Sequence, residues 1–202
     1  MLAAALAALA GFVDSIAFIQ LGGFFVSFMS GNSTRLAVGL SQAPAEAWVA
    51  FGLIAAFVAG VVAGALVNRS GDRNGGARVL ALVAALLCMA AALGQSGALG
   101  WAMALLAAAM GVENAVFLRD GEVSIGVTYM TGALVRMGQR IAGAMTGGPS
   151  FAWTPYLILW LGLIAGAATG AIAFTHFGFM CVWFAAGAAA ALGVVRLYLR
   201  DA

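Results

Sequence analysis

The sequence predicts an all-α polytopic membrane protein that consists of two homologous halves. Apolar residues make up 64% of the 202 residues and charged residues only 8%, whereas a soluble domain has about 25% charged residues. In addition, an apolar segment that begins at Gly11 returns about one hundred residues later, from Gly111. The composition therefore predicts a membrane protein, and the repeat predicts two matching sets of helices.

The repeat keeps its rare polar residues in register. The matched positions are Gly11 with Gly111, Asp14 with Asn114, Gly31 with Gly132, Arg35 with Arg136, Gly60 with Gly166, and Gly64 with Gly170. The offset between the halves is 100 for the first two pairs, 101 for the next two and 106 for the last two. We therefore expect one integral membrane domain made of a first repeat, 1–97, and a second repeat, 98–202.

Each repeat is expected to contain four apolar segments. They cover about 2–20, 24–40, 45–67 and 77–93 in the first repeat, and about 99–118, 123–145, 151–174 and 177–199 in the second. The first segment is apolar from its start and lacks the positive region of a signal peptide. It is therefore predicted to be a transmembrane helix that stays in the protein.

The second segment of each repeat carries polar residues where a membrane helix would be continuous. Gly31 and Gly132 weaken the helix, and neighbouring polar side chains can hydrogen-bond the freed backbone. These neighbours are Ser30, Asn32, Ser33 and Thr131. In lipid, non-helical backbone survives only when it is buried in protein or lines a water-filled cavity. We therefore predict an interrupted or re-entrant helix in each half, broken at Ser30, Gly31 and Gly132.

The third segments carry glycines at a spacing of four residues. These are Gly60 and Gly64 in the first repeat, and Gly162, Gly166 and Gly170 in the second. Small residues at this spacing let two helix backbones approach closely in a membrane. Helix packing is therefore the expected role of these faces, with the two third helices packed against each other.

A polar linker follows the third segment of the first repeat and determines the predicted topology. The arginines of this linker and of the C-terminus are Arg69, Arg73, Arg78, Arg196 and Arg200. The positive-inside rule places them together in the cytoplasm. They share one face if each repeat has three spans, which gives a 3+3 inverted repeat. The alternative is 4+4, with eight spans, because segment 24–40 reaches the minimum of about 17 residues for a span.

Four ionisable residues in the apolar segments are the first candidates for a site. Asp14, Arg35, Glu113 and Arg136 each cost about 2.5–3.5 kcal/mol at the centre of a membrane helix, so they must face partners or water. Arg35 lies four residues after Gly31, which places both on one helix face.

We therefore expect these side chains to meet in one substrate pocket near the bilayer midplane. The expected members are Asp14, Asn32, Arg35 and Arg136, with Glu113, Asn114 and Thr131 at the second edge. The alternative reading is purely structural, with Asp14–Arg35 and Glu113–Arg136 as ion pairs that lock neighbouring helices together.

The chemistry of such a pocket favours an anion. A helix that begins after the break offers its amide N–H groups and its positive dipole end to a negative ligand, and the arginines add full charges. The expected substrate is therefore anionic or rich in carbonyl groups. Cys88 and Cys181 are single cysteines in apolar runs, so no metal or cofactor is expected, and the absence of a basic face argues against nucleic acid.

Three stretches carry a resemblance to a known family. GFVDSIAFIQLGGFFVSFMSGNSTRLAVGL at 11–40, GVENAVFLRDG at 111–121 and YMTGALVRMGQ at 129–139 resemble the YoaK-like family of uncharacterised bacterial integral membrane proteins. The resemblance covers essentially the whole chain. It implies a multi-pass protein of the bacterial inner (plasma) membrane with about six spans, and it implies no particular substrate.

Several functions compete at this point. The first is a small-metabolite transporter or permease, and the alternatives are a channel for a small ion or neutral solute and a non-transporting structural or accessory membrane protein. An enzyme is not expected, because the sequence offers no metal motif, no nucleophile with a nearby base and no paired intramembrane aspartates. The expected partners are the lipid bilayer and a small-molecule substrate. Alternating access within 202 residues leaves little room, so a homodimer is an open alternative.

Overall fold

The computed structural model describes residues 1–69, 74–119, 122–123 and 128–198, and nearly all of them are helical. The helices are α1 Leu2–Gln20, α2 Met29–Gln42, α3 Pro44–Asn68, α4 Gly75–Gln95, α5 Leu99–Glu113, α6 Met130–Met145, α7 Thr154–Phe177 and α8 Val182–Tyr198. Short 3₁₀ turns at Asn114–Phe117 and Gly178–Cys181 extend α5 and join α7 to α8. A two-residue antiparallel pair, β1 Leu118–Arg119 and β2 Glu122–Val123, is the exception to the predicted all-α class.

Five stretches of the described chain are long and apolar enough to cross a membrane. The fifth, Thr154–Tyr198, has 45 residues and contains both α7 and α8. Helices α2 and α6 are not among these stretches. With 14 and 16 residues and a rise of about 1.5 Å per residue, they are shorter than the hydrocarbon core of about 30 Å. The prediction of a helical membrane protein is confirmed.

The closest helix pair joins α1 of the first half to α7 of the second. Gly162, Gly166 and Gly170 lie directly against the backbone of Ala4, Ala8 and Phe12, respectively. The contacts advance along both helices in the same direction, so α1 and α7 run parallel. A side chain on any of these glycines would collide with a carbonyl oxygen of α1, which is why this face consists of small residues.

A second pair, α3 with α5, repeats this contact with the halves exchanged. Gly60 lies against Ala108, and Gly64 lies against Val112. The prediction that the two third helices pack against each other is therefore wrong, because each packs on the first helix of the other half. The reason is that the first helices offer small residues of their own, such as Gly11 and Gly111, which lie against the carbonyls of the third helices.

Helices α4 and α8 pack against each other. Val79, Leu80, Val83 and Leu87 of α4 are fully buried, and α4 packs on both α8 and α5. Gly76 at the start of α4 lies against Arg196 at the end of α8, so these two helices are antiparallel. The end of the arginine linker and the end of α8 therefore lie on the same side of the bundle, while Arg73 and Arg200 lie outside the described residues.

The predicted helix breaks are displaced toward the N-terminus. Helix α2 begins at Met29 and α6 begins at Met130, so Ser30, Gly31 and Gly132 lie in the first turn of a helix and do not interrupt one. In the first half, the non-helical backbone is segment 21–28, which precedes α2. The glycines serve a different purpose, since a Cβ at Gly31 or Gly132 would enter the aromatic ring three residues earlier, Phe28 or Tyr129.

Candidate functional site

Asp14 holds segment 21–28 inside the bundle through hydrogen bonds. Its Oδ1 accepts hydrogen bonds from the backbone N–H groups of Val26 and Ser27, both at 2.7 Å. Its Oδ2 accepts a hydrogen bond from the Ser27 hydroxyl at 2.5 Å. Because Asp14 lies within α1, six residues before Gln20, the tip of this segment re-enters the bundle to the depth of the helix interior.

Asn32 completes the same turn from the other side. The side chain is fully buried, its Oδ1 accepts from the Phe25 N–H at 3.1 Å, and its Nδ2 donates to the Phe25 carbonyl at 2.6 Å. The amide therefore substitutes for a backbone partner of residue 25, as required of non-helical backbone inside a membrane protein. Its role is to shape the segment, and its hydrogen-bonding atoms are already engaged.

The second half contains a weaker version of this arrangement. Thr128, which matches Ser27 at the offset of 101, donates to Asn114 Oδ1 at 3.0 Å, and Asn114 Nδ2 donates to the Met110 carbonyl at 2.9 Å. Ala133 stands where the first half has Asn32 and offers no hydrogen bond. Residues 124–127 lie outside the described residues, so the comparison rests on Thr128 and the start of α6.

A cavity of about 820 Å³ lies beside α6 and reaches Asn114. Its polar lining residues are Asn114, Thr128, Tyr129, Arg136, Arg140 and Tyr156, and its apolar and small ones include Phe57, Val61, Gly132, Ala133, Pro155 and Leu159. Arg136 and Arg140 stand four residues apart, on one face of α6. The described residues that line the cavity include two guanidinium groups and no carboxylate, so the cavity is cationic.

A second cavity of about 470 Å³ lies between α1, α7 and the start of α6. Asp14, Ser15, Ser27 and Thr128 contribute its polar groups, and most of the remaining lining residues are apolar, including Phe18, Phe25 and Leu163. Thr128 lines both cavities. Ser27 of segment 21–28 and Thr128 before α6 therefore border the same space, where the two cavities adjoin.

Arg35 lies outside both cavities. Its guanidinium covers Gly23, stands 4.6 Å from the centroid of the Phe24 ring and is 3.8 Å from a carboxylate oxygen of Glu46. The side chain is 36% exposed. Its described ionic partner is therefore Glu46 at the start of α3, and the alternative of an Asp14–Arg35 ion pair is wrong.

The predicted single pocket is divided by the structure. Arg136 and Asn114 share the larger cavity, Asp14 lines the smaller one, and Thr131 is exposed and lines neither. Asn32 and Arg35 also line neither cavity. The expectation that all these side chains converge is wrong, because a repeat places matching residues at two related locations and does not bring them to one.

Glu113 occupies a different environment from the one expected. It is fully buried, and neither of its carboxylate oxygens has a hydrogen-bond partner within the described part of the chain. A Glu113–Arg136 ion pair is therefore not formed.

Two lining residues outside the predicted site carry a signal in the sequence. Arg140 follows Arg136 by one helical turn, and Thr128 matches Ser27 in the repeat. Tyr129 and Tyr156 had no such signal, because tyrosines in a membrane protein are common at helix ends.

Comparison with known proteins supports the resemblance. The family described as "Protein of unknown function (DUF1275)" matches residues 2–195. The chain is also 36% identical over 163 residues to the UPF0700 transmembrane protein RA0705 of Rhizobium meliloti (strain 1021), which covers 80% of this chain and 70% of the relative. No solved structure matches.

Proposed function

This chain belongs to the DUF1275 family of proteins of unknown function, and from that premise we propose that it is a small-metabolite transporter with an intramembrane site for an anionic or carbonyl-bearing substrate. The observation that carries the proposal is the cationic cavity of about 820 Å³. Ligand pockets have volumes of about 300–1,000 Å³ and a small number of placed polar groups. An arginine inside a membrane is energetically costly, and such residues mainly mark a transport pathway or a binding site.

The polar groups of the cavity form a path from its exposed end to its interior. Arg140 lies one helical turn closer to the end of α6 than Arg136, and Tyr129 with Thr128 comes before the start of the helix. Asn114, which is buried, closes the path. Arginine grips carboxylates through two parallel N–H bonds, so we assign substrate capture to Arg136 and Arg140, and orientation to Tyr129, Tyr156 and Asn114.

The architecture that fits this function is the 3+3 inverted repeat. Its support is a set of contacts that correspond residue by residue between the halves. The pairs are Gly60–Ala108 with Gly166–Ala8, Gly64–Val112 with Gly170–Phe12, and Gly111–Phe57 with Gly11–Leu163. Each pair uses the offsets of 100 and 106 that the repeat predicts.

The directions of the helices support the inversion. Gly23 after α1 lies under Arg35, which pairs with Glu46 at the start of α3, so α1 ends on the side where α3 begins. Helices α1 and α7 then run one way, and α3, α5 and α8 run the other. In this arrangement α2 enters and leaves on the side where α1 ends, and α6 enters and leaves on the opposite side. The other six helices span the membrane. We place this bundle in the bacterial inner membrane.

Binding and uptake by matched arginine variants test the proposal. Purified protein is screened for thermal stabilisation by lactate, malate and citrate, and uptake of the labelled compounds is measured in proteoliposomes. Arg136→Gln is expected to lower affinity at least about tenfold, which corresponds to a lost interaction of about 1.4 kcal/mol.

Arg35→Gln is the matched control, because Arg35 occupies the corresponding position in the first half but lies outside the cavity. Equal loss in both variants would contradict the assignment of the site. Uptake that does not saturate would favour a channel, and no stabilisation or uptake with the whole panel would favour an accessory role.

A further inference from the structure

Glu113 carries a buried carboxyl that has no hydrogen-bond partner in the described chain. The residue is 0% exposed, and neither Oε1 nor Oε2 has a hydrogen-bond partner. Buried polar groups in proteins are hydrogen-bonded in the great majority of cases, so an exception calls for an explanation. Its neighbours in sequence are apolar residues of α5 on one side and Asn114 on the other.

An ionised carboxylate would be costly at this position. Removing a carboxylate from water costs several kcal/mol unless a cation and further hydrogen bonds compensate. The acidic group that interacts with Glu113 across the bundle is Asp14 of α1. Neither Glu113 oxygen has a hydrogen-bond partner in the described chain, so both remain available to a proton.

The other charged groups on the surrounding helices make no hydrogen bond to Glu113. Glu46 lies in the first turn of α3, whereas α3 contacts the end of α5 near Gly64, toward the other end of α3. Arg78 of α4 and Arg196 of α8 belong to the end of the bundle where α5 finishes. Arg196 donates to the Val116 carbonyl at 3.1 Å and stacks on Phe117, and neither arginine hydrogen-bonds Glu113.

Glu113 lines neither cavity, but it immediately precedes the residue that closes the larger one. That residue, Asn114, accepts a hydrogen bond from Thr128, which lies just before α6. Among the described residues, this one bond joins Thr128 to the end of α5, whereas Asp14 of the first half accepts three hydrogen bonds. The matching position in the first half is Val13, so the acid belongs to one half only.

We propose that Glu113 is an intramembrane proton-binding site that couples proton movement to transport. This inference rests on the proposed function and deepens it by naming the coupling ion. Rupture of the hydrogen bond between Thr128 and Asn114 admits water from the cationic cavity. The Glu113 carboxylate then takes one proton from water on one side, becomes a carboxylic acid, and releases that proton to water on the other side. A proton that moves with an anionic substrate reduces the net charge that crosses the bilayer.

The first experiment measures coupling in proteoliposomes with labelled malate as the probe. A pH gradient of about one unit, which is a tenfold ratio of proton activity, is expected to accelerate uptake by the wild type several-fold. Glu113→Gln is expected to retain exchange of labelled for unlabelled malate and to lose this acceleration. Glu46→Gln removes an exposed carboxylate and is expected to behave like the wild type. A Glu113→Gln variant that still responds to the pH gradient, or a wild type that responds to a sodium gradient instead, overturns the proposal.

The second experiment needs no transported probe. Infrared difference spectra between neutral and alkaline pH are expected to show the C=O band of a protonated carboxylic acid in the wild type and in Glu46→Gln, but not in Glu113→Gln. Absence of the band from the wild type overturns the proton site even if malate is transported. Presence of the band without transport of any tested anion supports the proton site and contradicts the proposed function, so the two failures are distinguishable.

Discussion

Asp14 and Arg136 show that the same kind of residue, an ionisable group in a membrane segment, serves two different purposes in this molecule. Asp14 accepts three hydrogen bonds from Val26 and Ser27, so it holds the backbone of segment 21–28 in place. Arg136 is exposed and lines a cavity, so its guanidinium borders a space that a ligand can fill. The cost of burying a charge identifies both residues from sequence, but only the partners distinguish them.

This distinction explains which part of the candidate site was predictable. Arg136 and Asn114 were predicted as binding residues and line the cationic cavity. Asn32 was predicted on the same grounds, yet its amide is engaged by the backbone of Phe25. A sequence shows that a polar side chain must find a partner in the membrane, but it does not show whether the partner is a ligand or the backbone of a nearby segment.

A prediction follows for Asp14. Asp14→Ala leaves the Val26 and Ser27 N–H groups without an acceptor, and each buried unsatisfied group costs about 1–3 kcal/mol. The free energy of unfolding in detergent micelles should therefore fall by at least this amount. Asp14→Asn keeps one acceptor oxygen, as Asn114 does in the second half, and should lose less.

Ser15→Ala is the control for this measurement. The Ser15 hydroxyl donates to the Phe12 carbonyl of its own helix at 2.9 Å, so its removal leaves the re-entrant segment intact and should change stability little. Equal stability of the Asp14→Ala protein and the wild type would show that Asp14 does not hold the segment.

For the helices, the sequence predicts which face of a helix is packed better than it predicts which helix packs on that face. The four-residue spacing of Gly60 and Gly64 identified the packing face of α3 correctly, because backbone contact in lipid requires small residues. The partner was wrong, since two small faces in the third helices and two in the first helices allow more than one pairing. The start of α2 was misplaced for a similar reason, because a glycine in a sequence has more than one explanation. It can weaken a helix, or it can leave space for an aromatic ring, as Gly31 does for Phe28.

A prediction concerns the contact between α3 and α5. A methyl group at Gly60 would collide with the Ala108 carbonyl oxygen, whereas Gly52 of the same helix has open space around it. Gly60→Ala should therefore lower the free energy of unfolding by about 1–3 kcal/mol, the usual cost of overpacking. Gly52→Ala should leave it unchanged or raise it, because Ala is the better helix former by about 1 kcal/mol.

Thermal unfolding followed by circular dichroism compares these two α3 variants directly. The comparison is matched, since both change Gly to Ala within one helix. Equal stability of both variants would mean that α3 does not contact α5 through Gly60.

At the scale of the whole molecule, the two halves exchange their helices. The first helix of each half packs on the third helix of the other, and the fourth segments, α4 and α8, pack against each other. The sequence predicts a duplication because polar residues recur in register, but it does not predict this exchange, because a repeat does not indicate whether contacts form within or between its copies. The homodimer stays a prediction, as nothing within one chain tests it.

The last prediction concerns topology and separates six spans from eight. With Cys88 and Cys181 replaced by Ala, single cysteines are introduced at Arg69, Ser96 and Tyr198, and a membrane-impermeant thiol reagent is applied to intact cells and to inverted vesicles. The contact between Gly76 and Arg196 places the start of α4 and the end of α8 together. Positions 69 and 198 should therefore be labelled from the same face, which the positive-inside rule assigns to the cytoplasm. Position 96, at the other end of α4, should be labelled from the opposite face. Eight spans would require α2 and α6 to cross, which would place positions 96 and 198 together and position 69 alone. That pattern would contradict the inverted repeat, and with it the arrangement in which Arg136 enters the membrane from the side of the arginine linker.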